Sequence, residues 1–250
     1  VKGLNAQIAL VLLLFLALCA SGMAAGTPDY TRTFVEASKA YDENRLPAAI
    51  ADWESLVKEG QVLPAVLFNL GNAYYRNGDL GEAIRAYRHA QTLAPRDPDI
   101  RANLGFAAQT AGITLPARNP LMAKLLELSQ SEWAQFASIC YWVLFGVLAA
   151  WIAFPRFGFA LRPLAGGITL LLLLALAGLW AQHRLRATPE CVVMSEGQKV
   201  LSSPLESATP ILAIPEGAIV RQVDQHGAWV EVQYESTSGW LPATVILPVL

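Results

Sequence analysis

Between residues 30 and 110 the apolar positions recur three and four residues apart, with charged or amide residues between them. That is the period of helices that bury one stripe. Gly78-Asp79, Pro95 and Pro98 punctuate the pattern, so it predicts several short helices rather than one long one. The pattern then changes twice. From Trp133 to Pro155, and again from Pro163 to Gln182, no charged residue occurs. The run LLLLLALAGLW at 170–180 is apolar on every face, which calls for lipid or a large protein around it. Each run has about the 20 residues that a membrane-spanning helix needs. After Arg186 come short alternating or β-branched runs, VVMSEGQKVLSSP, ILAIPEGAIVRQVDQ, WVEVQY and SGWLPATVI, separated by glycine and proline. These predict a small all-β unit.

The N-terminal stretch carries Lys2, an apolar core from Ile8 to Ala20 and small residues at 22–25. It reads as a secretory signal over 1–25. The two apolar runs are expected to form a hairpin, 133–155 and 163–182, joined by a connector at 156–162 that carries Arg156 and Arg162 and no acid. The positive-inside rule makes that connector cytoplasmic. Both flanking regions are then periplasmic in a bacterial inner membrane. The segment 119–132 has helical apolar spacing. It either caps the preceding helices or lies on the membrane surface.

Shifted by 34 residues, the sequence matches itself. Asn69-Leu70-Gly71 recurs as Asn103-Leu104-Gly105 and Ala73 as Ala107; backwards, Tyr75 falls on Tyr41, Leu80 on Leu46, Ala83 on Ala49 and Tyr87 on Trp53. A 34-residue period with two helices per unit resembles the tetratricopeptide repeat. Leu70, Gly71, Tyr74, Ala83, Tyr87, Ala90 and Pro95 occupy its consensus positions, with Leu67 in place of the leading Trp. The units lie at 30–63, 64–97 and, as a first helix only, 98–118. Gly71 and Ala83 are small where paired helices cross, Tyr74 and Tyr87 fill the space beside them, and Gly78-Asp79 makes the turn. The resemblance implies a concave groove for protein partners, lined by Phe34, Ser38, Tyr41, Phe68, Asn72, Tyr75, Ala102 and Phe106. Apolar residues stand at several positions where carboxylate-gripping repeats carry charges, which favours a helical or apolar segment as the occupant.

Composition sharpens this picture. The chain of 250 residues is 54% hydrophobic and only 15% charged, which fits membrane segments. A net charge of -2 gives no case for nucleic acid. Cys19, Cys140 and Cys191 lie in three separate regions, and His89, His183 and His226 are equally scattered, so no metal site, disulfide framework or cofactor is expected. No phosphate loop or nucleophile elbow occurs, and no enzymatic activity is expected. Asp97 and Asp99, around Pro98, read as helix caps.

The C-terminal run, 190–248, resembles bacterial SH3 domains through Val200-Leu201-Ser202-Ser203-Pro204, Pro215-Glu216-Gly217, Gly227-Ala228-Trp229-Val230-Glu231-Val232 and Gly239-Trp240-Leu241-Pro242. Trp240 is expected in the core. Trp229 is the candidate ligand-surface residue, and His226 is read as a turn residue. The fold class is therefore multidomain: an all-α tetratricopeptide repeat array, a two-helix transmembrane hairpin and a small all-β SH3-like barrel. This order resembles the BatE family. The resemblance implies a non-enzymatic inner-membrane scaffold for protein partners in an envelope-stress or aerotolerance complex with von Willebrand A-domain proteins and a MoxR-type ATPase. The alternative is an anchor that binds peptidoglycan through the SH3-like domain.

Overall fold

The computed structural model describes residues 28–116, 127–186 and 189–249. The expected signal at 1–25, and most of the expected cap at 119–132, lie outside the described residues.

Five helices come first: α1 (Pro28–Asp42), α2 (Leu46–Lys58), α3 (Pro64–Asn77), α4 (Leu80–Leu93) and α5 (Pro98–Thr110). Their ends follow from local chemistry. Proline sits in the first turn of α2, α3 and α5, where no intrahelical N–H partner is lost. Gly78 closes α3 with φ +94°, a left-handed cap at which a side chain would be strained. Asp97 caps α5, its Oδ1 accepting from the amides of Asp99 (2.9 Å) and Ile100 (3.2 Å). α4 stops at Leu93, two residues short of Pro95. The helices pair as α1–α2 and α3–α4, and the first helices of successive units touch, α1 with α3 and α3 with α5. Gly71 lies where α3 meets α4, and a Cβ there would come 2.7 Å from the Tyr87 ring.

Two long helices follow: α6 (Gln130–Ala153), a 3₁₀ turn (Pro155–Phe157) and α7 (Gly158–Arg186). α6 starts three residues before the expected Trp133 because Ser129 and Glu132 form a capping box, each satisfying the other's backbone N–H. α7 runs on past Gln182 to Arg186. The pair packs along a seam of Trp133 and Cys140 against Ala165, Ile168, Ala175 and Ala181. Gly178 leaves room for the Trp133 indole. Away from the seam, large aliphatic and aromatic side chains stand exposed, Ile152 by 82% and Leu170 by 68%. Both helices are long and apolar enough to cross a membrane.

The C-terminal part is an antiparallel sheet of seven strands: β1 (Glu190–Val193), β2 (Gln198–Leu201), β3 (Pro210–Ile214), β4 (Ile219–His226), β5 (Trp229–Tyr234), β6 (Thr237–Pro242) and β7 (Ile246–Pro248), in the order β3-β2-β6-β5-β4-β1-β7. One face buries Val192, Val200, Val220, Val230, Val232 and Leu241. Gly239 is required where β6 meets β2, since a Cβ would sit 2.5 Å from Val200 Cγ1. Trp240 corrects the sequence expectation: Val230, Val232 and Leu241 take the core face, so the pleat turns Trp240 outward, half-buried and edge-on to His226 at 5.5 Å. His226 is the last residue of β4, paired with Trp229, rather than a turn residue. Cys191 lies within β1 and is buried; that burial pushes its thiol up to about 11.

The sheet and the repeats form a single core. Ala83, Ile84 and Tyr87 of the helices belong to the same buried cluster as Val192, Ile219 and Leu241 of the sheet. The docking site is the outer side of α4. Arg88 gives its guanidinium to both carboxylate oxygens of Glu190, Nε to Oε2 at 2.7 Å and Nη2 to Oε1 at 2.8 Å. Its side chain is only 6% exposed, so this is a bidentate pair largely withdrawn from water. At the start of α4, the Gly81 amide donates to Glu216 Oε1 at 2.9 Å, placing a carboxylate on the helix N-terminus. The Gly217 backbone is pressed so close that a Cβ would lie 2.5 Å from Ile84 Cδ1. Sheet and segment 111–115 together close the array, with Ile113 buried in the shared core.

Two outcomes are expected from chemical denaturation of the full chain in detergent. Arg88→Ala should lower stability by about 3 kcal/mol, because it strips a buried carboxylate of its guanidinium, and the exchange R88E/E190R should recover most of the loss. Gly71→Ala should cost about 1–3 kcal/mol through overpacking against Tyr87. A charge exchange no more stable than Arg88→Ala would mean that packing, not the ion pair, holds the sheet.

Candidate functional site

With the sheet on the outer side of α4, the opposite face of the array, lined by α1, α3 and α5, stays uncovered by the sheet. It carries the eight positions singled out in the sequence, and the structure sorts them into two groups.

Tyr75 and Phe106 form an open aromatic step. Their rings lie 5.5 Å apart and tilted by 51°. Thr110 donates to the Phe106 carbonyl at 2.9 Å, and the Tyr75 hydroxyl bonds to Thr110 Oγ1 at 3.1 Å. Phe106 is 59% exposed, a large apolar surface left to solvent beside a fixed polar tip. Phe34 and Phe68 are half-buried, Phe34 against Tyr30 at 5.9 Å and Phe68 against Tyr87 at 6.0 Å. Each presents part of a ring. Ala102 is exposed and offers little area.

Tyr41, Ser38 and Asn72 serve the array itself. The Tyr41 ring sits between Trp53, 5.9 Å away, and the Arg76 guanidinium, 4.4 Å over its centroid. Arg76 is held there by Asn44 Oδ1 at 2.8 Å. Ser38 turns its hydroxyl back to the Phe34 carbonyl at 2.8 Å. Asn72 uses one oxygen twice, accepting from Tyr87 Oη at 2.7 Å and from Asn103 Nδ2 at 2.8 Å. That single acceptor ties α3 to α4 and α5, so the groove is narrower than the sequence implies, centred on Tyr75 and Phe106 and flanked by Phe34 and Phe68. Thr110 and Asn103, which orient these residues, were not foreseen. Asn103 repeats Asn69 at the 34-residue period, whereas Thr110 had no signal in the repeat comparison.

Between the two units, the Tyr74 hydroxyl donates to Glu54 Oε1. This bond, aided by Lys58, holds the Glu54 carboxyl below its usual value, while burial and Glu54 push the Tyr74 hydroxyl up. On the sheet, Trp229 is half-buried on the outer face, away from the buried Val230 and Val232, with Trp240, His226 and Asp224 as neighbours.

A tetratricopeptide repeat model matches residues 64–97, which are α3, α4 and the loop to α5. No curated protein matches the chain. The match identifies this helix pair as a repeat of a protein-interaction type, and the neighbouring helices extend the array on either side.

A carboxyl held low in the folded state stabilises it above the ordinary value of 4.5 and loses that contribution as pH falls through the folded value. Thermal unfolding of wild type and Glu54→Gln should therefore differ most near neutrality and converge below pH 4.5. A constant difference down to strongly acidic pH would show that the Tyr74–Glu54 bond does not couple the units through charge.

Proposed function

We propose that this protein is a non-enzymatic scaffold, anchored in a bacterial inner membrane by α6 and α7, that holds protein partners in the groove around Tyr75 and Phe106. The observation that carries this reading is the open aromatic step on a repeat array whose other side is already occupied. A large ring kept in solvent next to an ordered hydroxyl is the anatomy of a binding hot spot. The apolar flanks favour a partner helix over a free carboxylate.

Membrane anchoring is supported by the exposed apolar surface of the hairpin and by its place in the chain. The repeats precede it and the sheet follows it, yet the two share one core. Two crossings return the chain to the side it left; one crossing would not. With an export signal at the N-terminus and Arg156 and Arg162 in the connector, both parts lie in the periplasm. The order of parts, with the sheet read as an SH3-like domain, fits a BatE-like member of a Bat/MoxR-type complex in aerotolerance or envelope stress. A second reading is favoured by Trp229 and Trp240 on the outer sheet face: an envelope anchor that binds peptidoglycan there.

Deleting the repeats would bare the apolar docking face of the sheet, so point variants make the cleaner test. In a crosslinked pull-down from intact membranes, Tyr75→Ala with Phe106→Ala should reduce recovery of specific membrane proteins about tenfold or more, while the folded extramembrane unit persists. Undiminished capture by the folded double variant sinks the groove. Recovery of wall fragments alone, lost on Trp229→Ala, establishes the anchor instead.

A further inference from the structure

Resting on the membrane reading above, we infer that the hairpin tip, Phe154–Arg162, is a binding site for anionic phospholipid headgroups. No aspartate or glutamate occurs between Glu132 and Glu190, so the hairpin carries only positive charge. At its open end this is offset, since Glu127 and Glu132 flank α6 there and Glu132 pairs with Arg96. At the tip nothing in the sequence offsets Arg156 and Arg162.

Both arginines are positioned. Arg156 lies 4.9 Å over the Phe157 ring, and Arg162 lies 5.3 Å over Trp151. Stacking on a ring leaves the N–H edges of a guanidinium free to take a phosphate in a bidentate way. Around them Phe154, Phe157 and Phe159 are exposed, Phe159 by 95%, the amphipathic rings that settle at a bilayer interface.

The helices place the tip at headgroup depth. α6 has 24 residues, about 36 Å at 1.5 Å each, against a hydrocarbon core of about 30 Å. In α7, Pro163 has no N–H to give the Phe159 carbonyl, so a backbone acceptor is released beside Arg162. Such a group is tolerated in the wet interface and not in the core. Two cations, apolar wedges and a released carbonyl at one depth suit a lipid phosphate with its acyl chains beside it.

The test uses full-length protein in nanodiscs of phosphatidylcholine with a minor share of phosphatidylglycerol, counting retained lipids by native mass spectrometry. Wild type should retain phosphatidylglycerol selectively, with roughly a fivefold loss of selectivity per arginine neutralised in R156Q and R162Q. R184Q, at the other end, should retain it, and R156K/R162K should restore part of it. Equal retention by wild type and R156Q/R162Q overturns the site. So does full displacement by inorganic phosphate, which would mark a general anion site. Failure of wild type to enter the discs is a different result: it overturns the membrane reading and the inference with it.

Discussion

Arg88 and Glu190 stand 102 residues apart in sequence and share two hydrogen bonds in a nearly dry interface. Everything else in the architecture depends on that contact. A repeat unit buries one face on its neighbour, and an array of two and a half units leaves its last helices without one. Here the sheet supplies the missing surface. Glu216 satisfies the N-terminus of α4, the Gly217 turn packs on Ile84, and the bidentate pair fixes the register between them. Because a buried ion pair costs desolvation, it adds little net stability over an apolar match. What it adds is specificity: only one placement of the sheet gives Arg88 its carboxylate.

The 34-residue period gives this contact a further meaning. Arg88 occupies in its unit the position that Glu54 occupies in the preceding one. Glu54 takes its bond from Tyr74, on the first helix of the next unit. The corresponding helix position after Arg88 is Ala108, which has no polar group to offer, and Arg88 turns to β1 instead. One position on the second helix thus makes the polar tie to whatever comes next, a repeat in one case and a sheet in the other. The sign of its charge changes with the neighbour: a carboxylate meets a hydroxyl, a guanidinium meets a carboxylate.

Sequence periodicity reveals what is local or repeated. Gly71 and Tyr87, Gly78 at the turn, and Asp97 at the cap are all readable, because each is determined by the helix it belongs to or by the adjacent one. Less legible are residues whose role depends on a distant element. Asn72 looks like a groove residue until Tyr87 and Asn103 are seen to share its oxygen. Tyr41 looks free until Arg76 covers it. Trp240 reads as core because it is large and apolar, but the alternation set by Val230 and Leu241 turns it outward. Arg88 and Glu190 carry no signal of their pairing beyond the fact that Glu190 is the first acid after a long acid-free stretch.

Docking on the outer side of α4 has a consequence for the face that remains. Arg88 and Gly81 project away from the side where α3 meets α1 and α5, so the sheet secures the array without covering the aromatic step. At the same time Gly217 meets Ala111, the residue that follows α5, at 3.6 Å from an added Cβ. α5 carries Phe106 and Thr110, the far wall of the groove. The sheet therefore braces the wall it does not touch from inside, and Tyr75 is held by Thr110 to a helix whose C-terminal end is fixed. A partner entering there meets rings already oriented, so less of the binding free energy is lost to ordering them. Anchored at the base of the hairpin, the groove is also confined to one membrane surface, and a modest contact there acts at a raised effective concentration toward partners in the same membrane.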